Sequence, residues 1–261
     1  MLKKVQVLLV MLMLPLMAWA QTRVKASDII EKINRGEAVS YKNAVIDGDL
    51  DMTTLKNMER KNSGNIGSNE YVSTVTTPLT FVNCTFKGDV LAYVSKEVKG
   101  GLFSSSNEVY NTNFEKDVVF ENCNFEKKSA FKYSEFDGKA NFMSSRFAEE
   151  ALFKYAEFDK GPNFSNVRFD RDANFKYVEF PERVSFAGAN FRGEANFKYA
   201  EFNGGVNFEK ALFNGIANFK YAEAERSFNI KGANFKGSDD FKYTKFNNEH
   251  VTLATLQRMA Q

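Results

Sequence analysis

The chain has 261 residues, with 35 Lys and Arg against 33 Asp and Glu, one His, two Cys, four Pro and 27 Phe. A charge so near zero gives no electrostatic case for nucleic acid or for an anionic surface, and two cysteines are too few for a zinc site. The aromatic content and scarce proline exclude a low-complexity disordered chain.

In chain order, residues 1–20 read as a secretory signal peptide. Lys3 and Lys4 start it, residues 7 to 17 form an apolar run, and Ala18-Trp19-Ala20 supplies an A-x-A cleavage site. The run is too short to span about 30 Å of hydrocarbon and contains Pro15, and no Cys stands near the cleavage point for lipid attachment. No later apolar run could span a bilayer, so no integral membrane segment is expected after signal removal. Losing Lys3 and Lys4 takes the basic count from 35 to 33, equal to the acidic count, so the mature chain is formally neutral. The expected location is outside the cytoplasm, periplasmic or extracellular.

Residues 21–43 read as an N-terminal helical cap. A short amphipathic helix is predicted over 27–35, with Ser27 as N-cap, Ile29, Ile30 and Ile33 on one face, and Gly36 as the stop. Residues 44–52 alternate like a strand. The segment 44–113 reads as irregular first coils, with polar loop insertions near 53–73 and 88–112. Residues 247–261 form a C-terminal cap, where Val251, Leu253, Leu256 and Met259 suit a short helix.

Between lies a lattice, residues 114–246. From Phe114 to Phe246 a large apolar residue recurs at alternating strides of five and six; of 25 positions 23 are Phe, and the exceptions are Ala224 and Ile230. The word Phe131-Lys132-Tyr133 returns, evenly spaced, at Phe153, Phe175, Phe197, Phe219 and Phe241. Such self-similarity marks a solenoid. A stride of 5.5 fits neither a helix nor a plain strand, but it fits a chain turning four corners per coil, with one Phe inward per face. Small residues two before the Phe (Ala151, Ala156, Ala173, Ala189, Ala195, Ala200, Ala217) would share the interior. Glycines in the six-residue links (Gly138, Gly161, Gly193, Gly204, Gly215, Gly237) are expected at corners with positive φ. In the irregular stretch 224–235, either Ile230 or Phe228 points inward.

The words Ala173-Asn174-Phe175-Lys176-Tyr177, Ala195-Asn196-Phe197-Lys198-Tyr199 and Ala217-Asn218-Phe219-Lys220-Tyr221 resemble the repeat of the pentapeptide-repeat family, roughly A-(N/D)-(L/F)-x-x. The resemblance covers about residues 75–246, and alternate repeats depart from it by one inserted residue. It implies an all-β fold: a right-handed, quadrilateral parallel β-helix, here with short helical caps at both ends and a length of roughly 40 Å. Some members of that family resemble duplex DNA and bind topoisomerases. A neutral chain with a signal peptide lacks the acidic, cytoplasmic character which that role needs.

Little in the chain suggests chemistry. His250 lies in the terminal cap, and there is no phosphate loop or dinucleotide fingerprint. No catalytic residue, metal ligand or cofactor site is assigned. The patterned surface is a strip of Lys154, Tyr155, Lys176, Tyr177, Lys198 and Tyr199, flanked by a glutamate column at Glu135, Glu157, Glu179, Glu201 and Glu223. Either the strip binds an envelope partner, a protein or a polysaccharide, or it is a by-product of duplication whose Lys and Glu columns neutralise each other across a corner. The expected function is an exported, non-catalytic scaffold or binding module; the alternative is a glycan-active β-helix enzyme of the envelope. Cys84 and Cys123 lie in matching words, which run from Phe81 to Phe86 and from Phe120 to Phe125. They are expected to stack in neighbouring coils, as two buried thiols or as a disulfide. A rival register through Phe103, midway between Phe81 and Phe125, would put them on different faces.

Overall fold

The computed structural model describes residues 21–61, 68–100 and 104–261. The signal-peptide reading of residues 1–20 and the register through Phe103 lie outside the described residues.

The chain is wound as a four-faced parallel β-helix. One coil lays down Val118–Glu121, Asn124–Phe125, Ser129–Ala130 and Glu135–Phe136, one strand per face, and Ala140–Asn141 returns to the first face. Each strand pairs in parallel with its equivalent one coil on: Val118 with Ala140, Phe125 with Phe147, Ala130 with Leu152, Phe136 with Phe158. The longest face carries nine strands, from Thr22–Lys25 to Asn234–Phe235. Eight coils from Val39 to Phe246 are separated by seven steps of about 4.8 Å, giving roughly 34 Å along the axis.

The core is built by the phenylalanine lattice. Phe175 is fully buried and stacks on Phe153 at 5.0 Å and on Phe197 at 5.2 Å, while Phe164 and Phe186 meet it edge-on, each at 5.2 Å. Stacking along a column and edge-to-face contact between columns are the two arrangements that aromatic quadrupoles favour. Ala151, Ala173, Ala195 and Ala217 lie buried in one column two positions before the ring.

The corners differ from expectation. The five-residue links hold the left-handed residues. Ala200 N–H donates to Phe197 C=O at 3.0 Å, closing a turn with Lys198 and Tyr199 in the middle. Tyr199 has φ 59°, so each Phe-Lys-Tyr word makes a type II turn. The opposite corner repeats this at Asn122, Ser144, Asn166, Gly188, Lys210 and Gly232. In the six-residue links, Gly138, Gly161, Gly193, Gly204, Gly215 and Gly237 have no positive φ, which falls instead to Gly205 at 88°; the requirement at these six is close approach. A Cβ on Gly215 would stand 2.1 Å from the Gly193 carbonyl oxygen, and one on Gly204 would stand 2.1 Å from Glu182 backbone carbon.

The first two coils run on the same scheme with other side chains. Ile46 and Phe86 fill one column above Phe125, and Val75 and Phe114 fill another above Phe136. Among the described residues, the insertions expected as loops form antiparallel strand pairs. Glu59–Lys61 pairs antiparallel with Ser68–Val75, and Tyr93–Gly100 pairs antiparallel with Ser104–Phe114. The hairpins join in parallel, Asn107–Phe114 against residues 68–75, and Tyr71 stacks on Tyr110 at 4.8 Å. Each of the longer strands carries one tyrosine and scattered valines among polar residues, with no period of two, so an apolar period does not show them. Residues 44–52 likewise form two strands, Ala44–Asp47 and Leu50–Asp51, broken at Gly48 with φ 87°.

Helix α1, Ala26–Asn34, packs on the first coil with Ala26, Ile29 and Ile33 buried. Its N-cap is Lys25, without a side-chain cap, because strand Thr22–Lys25 runs straight into the helix; Ser27 falls one residue inside. Gly36 follows the C-cap at φ 70°. At the far end helix α2, Leu253–Met259, is capped by Thr252, whose hydroxyl accepts from Thr255 N–H at 3.2 Å, and it buries Leu256. In the irregular segment Phe228 and Ile230 are both buried.

Candidate interaction surface

Asparagine side chains set the strip in place. The Oδ1 of Asn174, Asn196 and Asn218 accepts from the backbone N–H of Lys176, Lys198 and Lys220 at 3.2, 3.1 and 3.3 Å. This local bond fixes the entry to each type II turn. The lysine then occupies the second position of the turn and the tyrosine the third.

The tyrosines form a continuous ladder. Tyr133, Tyr155, Tyr177, Tyr199, Tyr221 and Tyr243 stack at 5.0, 4.8, 4.8, 4.8 and 4.8 Å, with interplanar angles from 0° to 17°. A left-handed backbone costs a non-glycine residue of order 1–3 kcal/mol, and ring stacking offsets part of it by about 0.5–1.5 kcal/mol a pair. The same stacking turns ring faces toward neighbouring tyrosines. The strip is therefore a row of ring edges and hydroxyls, not the flat aromatic surface that the spacing suggests.

Each lysine leans back over its own tyrosine. The Nζ to ring-centroid distances are 4.5 Å for Lys132, 4.7 Å for Lys154 and Lys176, 5.1 Å for Lys198, 5.5 Å for Lys220 and 5.0 Å for Lys242. Among the described residues none of these six makes an ion pair with the glutamate column, so the expected neutralisation across the corner does not occur. Cation–π contact replaces it. Burial, and then the like charges of Lys132 and Lys176, hold the Lys154 ammonium below its ordinary pKa.

The glutamates are equally under-matched. Glu223 pairs with Lys245 at 2.7 Å, while Glu135 and Glu179 accept from the side-chain amides of Asn113 and Asn203. Burial, with Glu179 and Glu223 adding, raises the Glu201 carboxyl above its usual range. Burial does the same to Glu135, with Lys61 opposing and Glu157 adding.

The structure brings all six strip residues of the sequence reading onto this one corner. It adds Tyr93 from the second hairpin, which receives a hydrogen bond from Lys132 Nζ at 3.1 Å and lies 5.9 Å from Tyr133. The signal for it in the sequence is the offset between Tyr93 and Lys132, which equals that between the two cysteines. A separate cluster on another face is not legible in the spacing. Asp170 meets Arg146 and Arg168 at 2.5 Å and Arg192 at 3.4 Å. Burial alone would raise its pKa, but the hydrogen bonds from Arg168 and Arg146 outweigh that and lower it.

At the corner diagonally opposite the strip, Cys84 and Cys123 occupy neighbouring coils, since Phe81 pairs with Phe120 and Phe86 with Phe125. Both thiols are buried and free. Cys84 Sγ donates to the Val82 carbonyl at 3.4 Å and Cys123 Sγ to that of Phe81 at 3.3 Å. Contact with Cys123 lowers Cys84 to about 7, and the same contact together with burial raises Cys123. Titration of the denatured, unreduced protein is expected to return two thiols per chain; none in a monomer would establish a disulfide instead.

A family model described as Pentapeptide repeats (9 copies) matches residues 131–179, 153–201, 175–223 and 197–245. No curated protein and no solved structure matches the chain. Among the described residues no helix is long and apolar enough to cross a membrane.

Proposed function

Because the chain is a pentapeptide-repeat protein, its Phe-rich repeats wound into a parallel β-helix, we propose that it serves as an exported, non-catalytic scaffold whose Lys-Tyr strip engages a protein or polysaccharide of the cell envelope. The observation that carries this reading is the strip itself. Six consecutive coils present one lysine and one tyrosine at the same corner, with every ammonium held over a ring. Solenoids suit such a role because adjacent repeats multiply one contact along a rigid axis. The rows of hydroxyls and ammonium groups favour a partner recognised by hydrogen bonds and charge over one that stacks on ring faces.

Changing Tyr155, Tyr177 and Tyr199 together to Ser is expected to abolish capture of the partner from envelope extract and to leave the circular dichroism spectrum unchanged. Equal capture by the folded triple variant would reduce the strip to a copied ornament of duplication. Export is tested by recovering the protein from the producing cell. An N-terminus at Gln21 in the envelope or medium is expected, and an intact Met1 in the cytosol would refute it.

A further inference from the structure

Three ladders run side by side along this corner: lysine, tyrosine and glutamate. All share one axial step, since each recurs once per coil and the tyrosine centroids stand 4.8–5.0 Å apart. A polyanion lying on the lysines would meet the glutamates one turn away, and a polycation would meet the reverse. A partner that satisfies both columns must itself carry an acidic and a basic ladder at the strand-to-strand spacing. Lys154, Tyr155 and Glu157 of a second copy do so at each level.

We propose that the strip is a self-association surface, on which two copies lie side by side with their axes parallel. This rests on the reading above that the strip is a binding surface, and it names the partner. A twofold axis running along the rod direction between the copies sets the lysine column of each against the glutamate column of the other. It also sets each tyrosine against its own equivalent. The axial step is the same in both copies, so alignment at one level aligns Lys154, Lys176 and Lys198 with the partner's Glu157, Glu179 and Glu201 simultaneously. The antiparallel arrangement would oppose lysine to lysine and glutamate to glutamate, so charge selects the parallel one. The interface is isologous and closes at two copies.

The like-charge strain within each column supports this occupant. Beyond the burial that is the larger cause of both shifts, Glu201 is pressed by Glu179 and Glu223, and Lys154 by Lys132 and Lys176; opposing ladders of the other sign would relieve that like-charge part. The strip is narrow and about 24 Å long, five steps of about 4.8 Å. The contact therefore belongs with small, reversible interfaces and should weaken as salt screens it.

The test uses the mature chain, residues 21–261, in sedimentation equilibrium. Wild type is expected to associate reversibly to a dimer, and to lose most of that association between low and high salt. Reversing the lysines (Lys154→Glu, Lys176→Glu, Lys198→Glu) or the glutamates (Glu157→Lys, Glu179→Lys, Glu201→Lys) should leave each variant monomeric. An equimolar mixture of the two should restore a dimer, which misfolded chains could not do. Tyr155→Cys and Tyr199→Cys should each cross-link to their own copy on oxidation, because only parallel axes bring both residues to their equivalents.

A wild type that is monomeric at its highest soluble concentration overturns the proposal. So does a dimer indifferent to both charge reversals, or a failure of either cysteine to cross-link. If wild type is monomeric yet captures an envelope partner through Tyr155, Tyr177 and Tyr199, self-association fails and the binding reading stands. A salt-sensitive dimer with no captured partner supports self-association and removes the envelope partner.

Discussion

Phe175→Ala should lower the stability of the protein by about 3–5 kcal/mol, the range for deleting a buried aromatic ring. Its ring is fully buried in a column with Phe153 and Phe197. It also meets Phe164, Phe169 and Phe186 edge-on, so five rings lose a neighbour at once. Backbone pairing to the coils on either side prevents collapse into the void. Lys176→Ala, one residue away, loses cation–π contacts at 4.7 Å to Tyr177 and 5.9 Å to Tyr199 on the surface and should cost no more than about 1 kcal/mol. Urea titrations of the two variants decide the matter: midpoints shifted equally would mean that the inward and outward assignments are wrong.

The second large effect is expected where the lattice breaks. Ala224 stands in the column of Phe202 and Phe246, leaving room for a ring. Phe228 stands one coil beyond Val206, in a slot that elsewhere holds a smaller residue, and its ring reaches within 6.3 Å of Phe202 and 6.4 Å of Phe246. The extra ring at 228 fills the space that the missing ring at 224 leaves. Phe228→Ala should therefore cost about 3–5 kcal/mol, and Ala224→Phe alone about 1–3 kcal/mol through overpacking. Ala224→Phe combined with Phe228→Val rebuilds the regular repeat and should recover most of the loss. A coupling energy of about 0.5–3 kcal/mol is expected from the double-mutant cycle; strictly additive costs would show that the two positions do not share one cavity.

This pair also shows where sequence reading stops. Spacing alone poses 228 against 230 as alternatives, because it counts positions and not volumes. The answer is that both are buried, and only the absent side chain at 224 explains why. Elsewhere the lattice is legible because Phe carries a single message, burial, at a fixed stride. The glycines carry two. Gly215 reads equally well as a left-handed corner or as a site of close approach, and the carbonyl of Gly193 decides for the second. Tyrosine at a left-handed position runs against propensity, so Tyr199 reads as an outward side chain and not as the residue that makes the turn. The hairpins escape a sequence reading because their stabilising contacts, such as Lys96 over Tyr110, join residues that look solvated when read one strand at a time. Lys132 and Glu135, three apart, suggest an ion pair; the turn between them directs the ammonium to the Tyr133 ring.

Between Phe114 and Phe219 each coil meets the next through the same kind of ring stack and the same ladder register. Such an interface has no memory of its place in the rod. Copy number is then a free variable: a whole coil added or removed within that regular stretch leaves every remaining junction of a kind already present. Length behaves as a counted quantity, and the corner strip lengthens or shortens with it in whole units, so that the reach of the molecule and the strength of its grip are set by one integer.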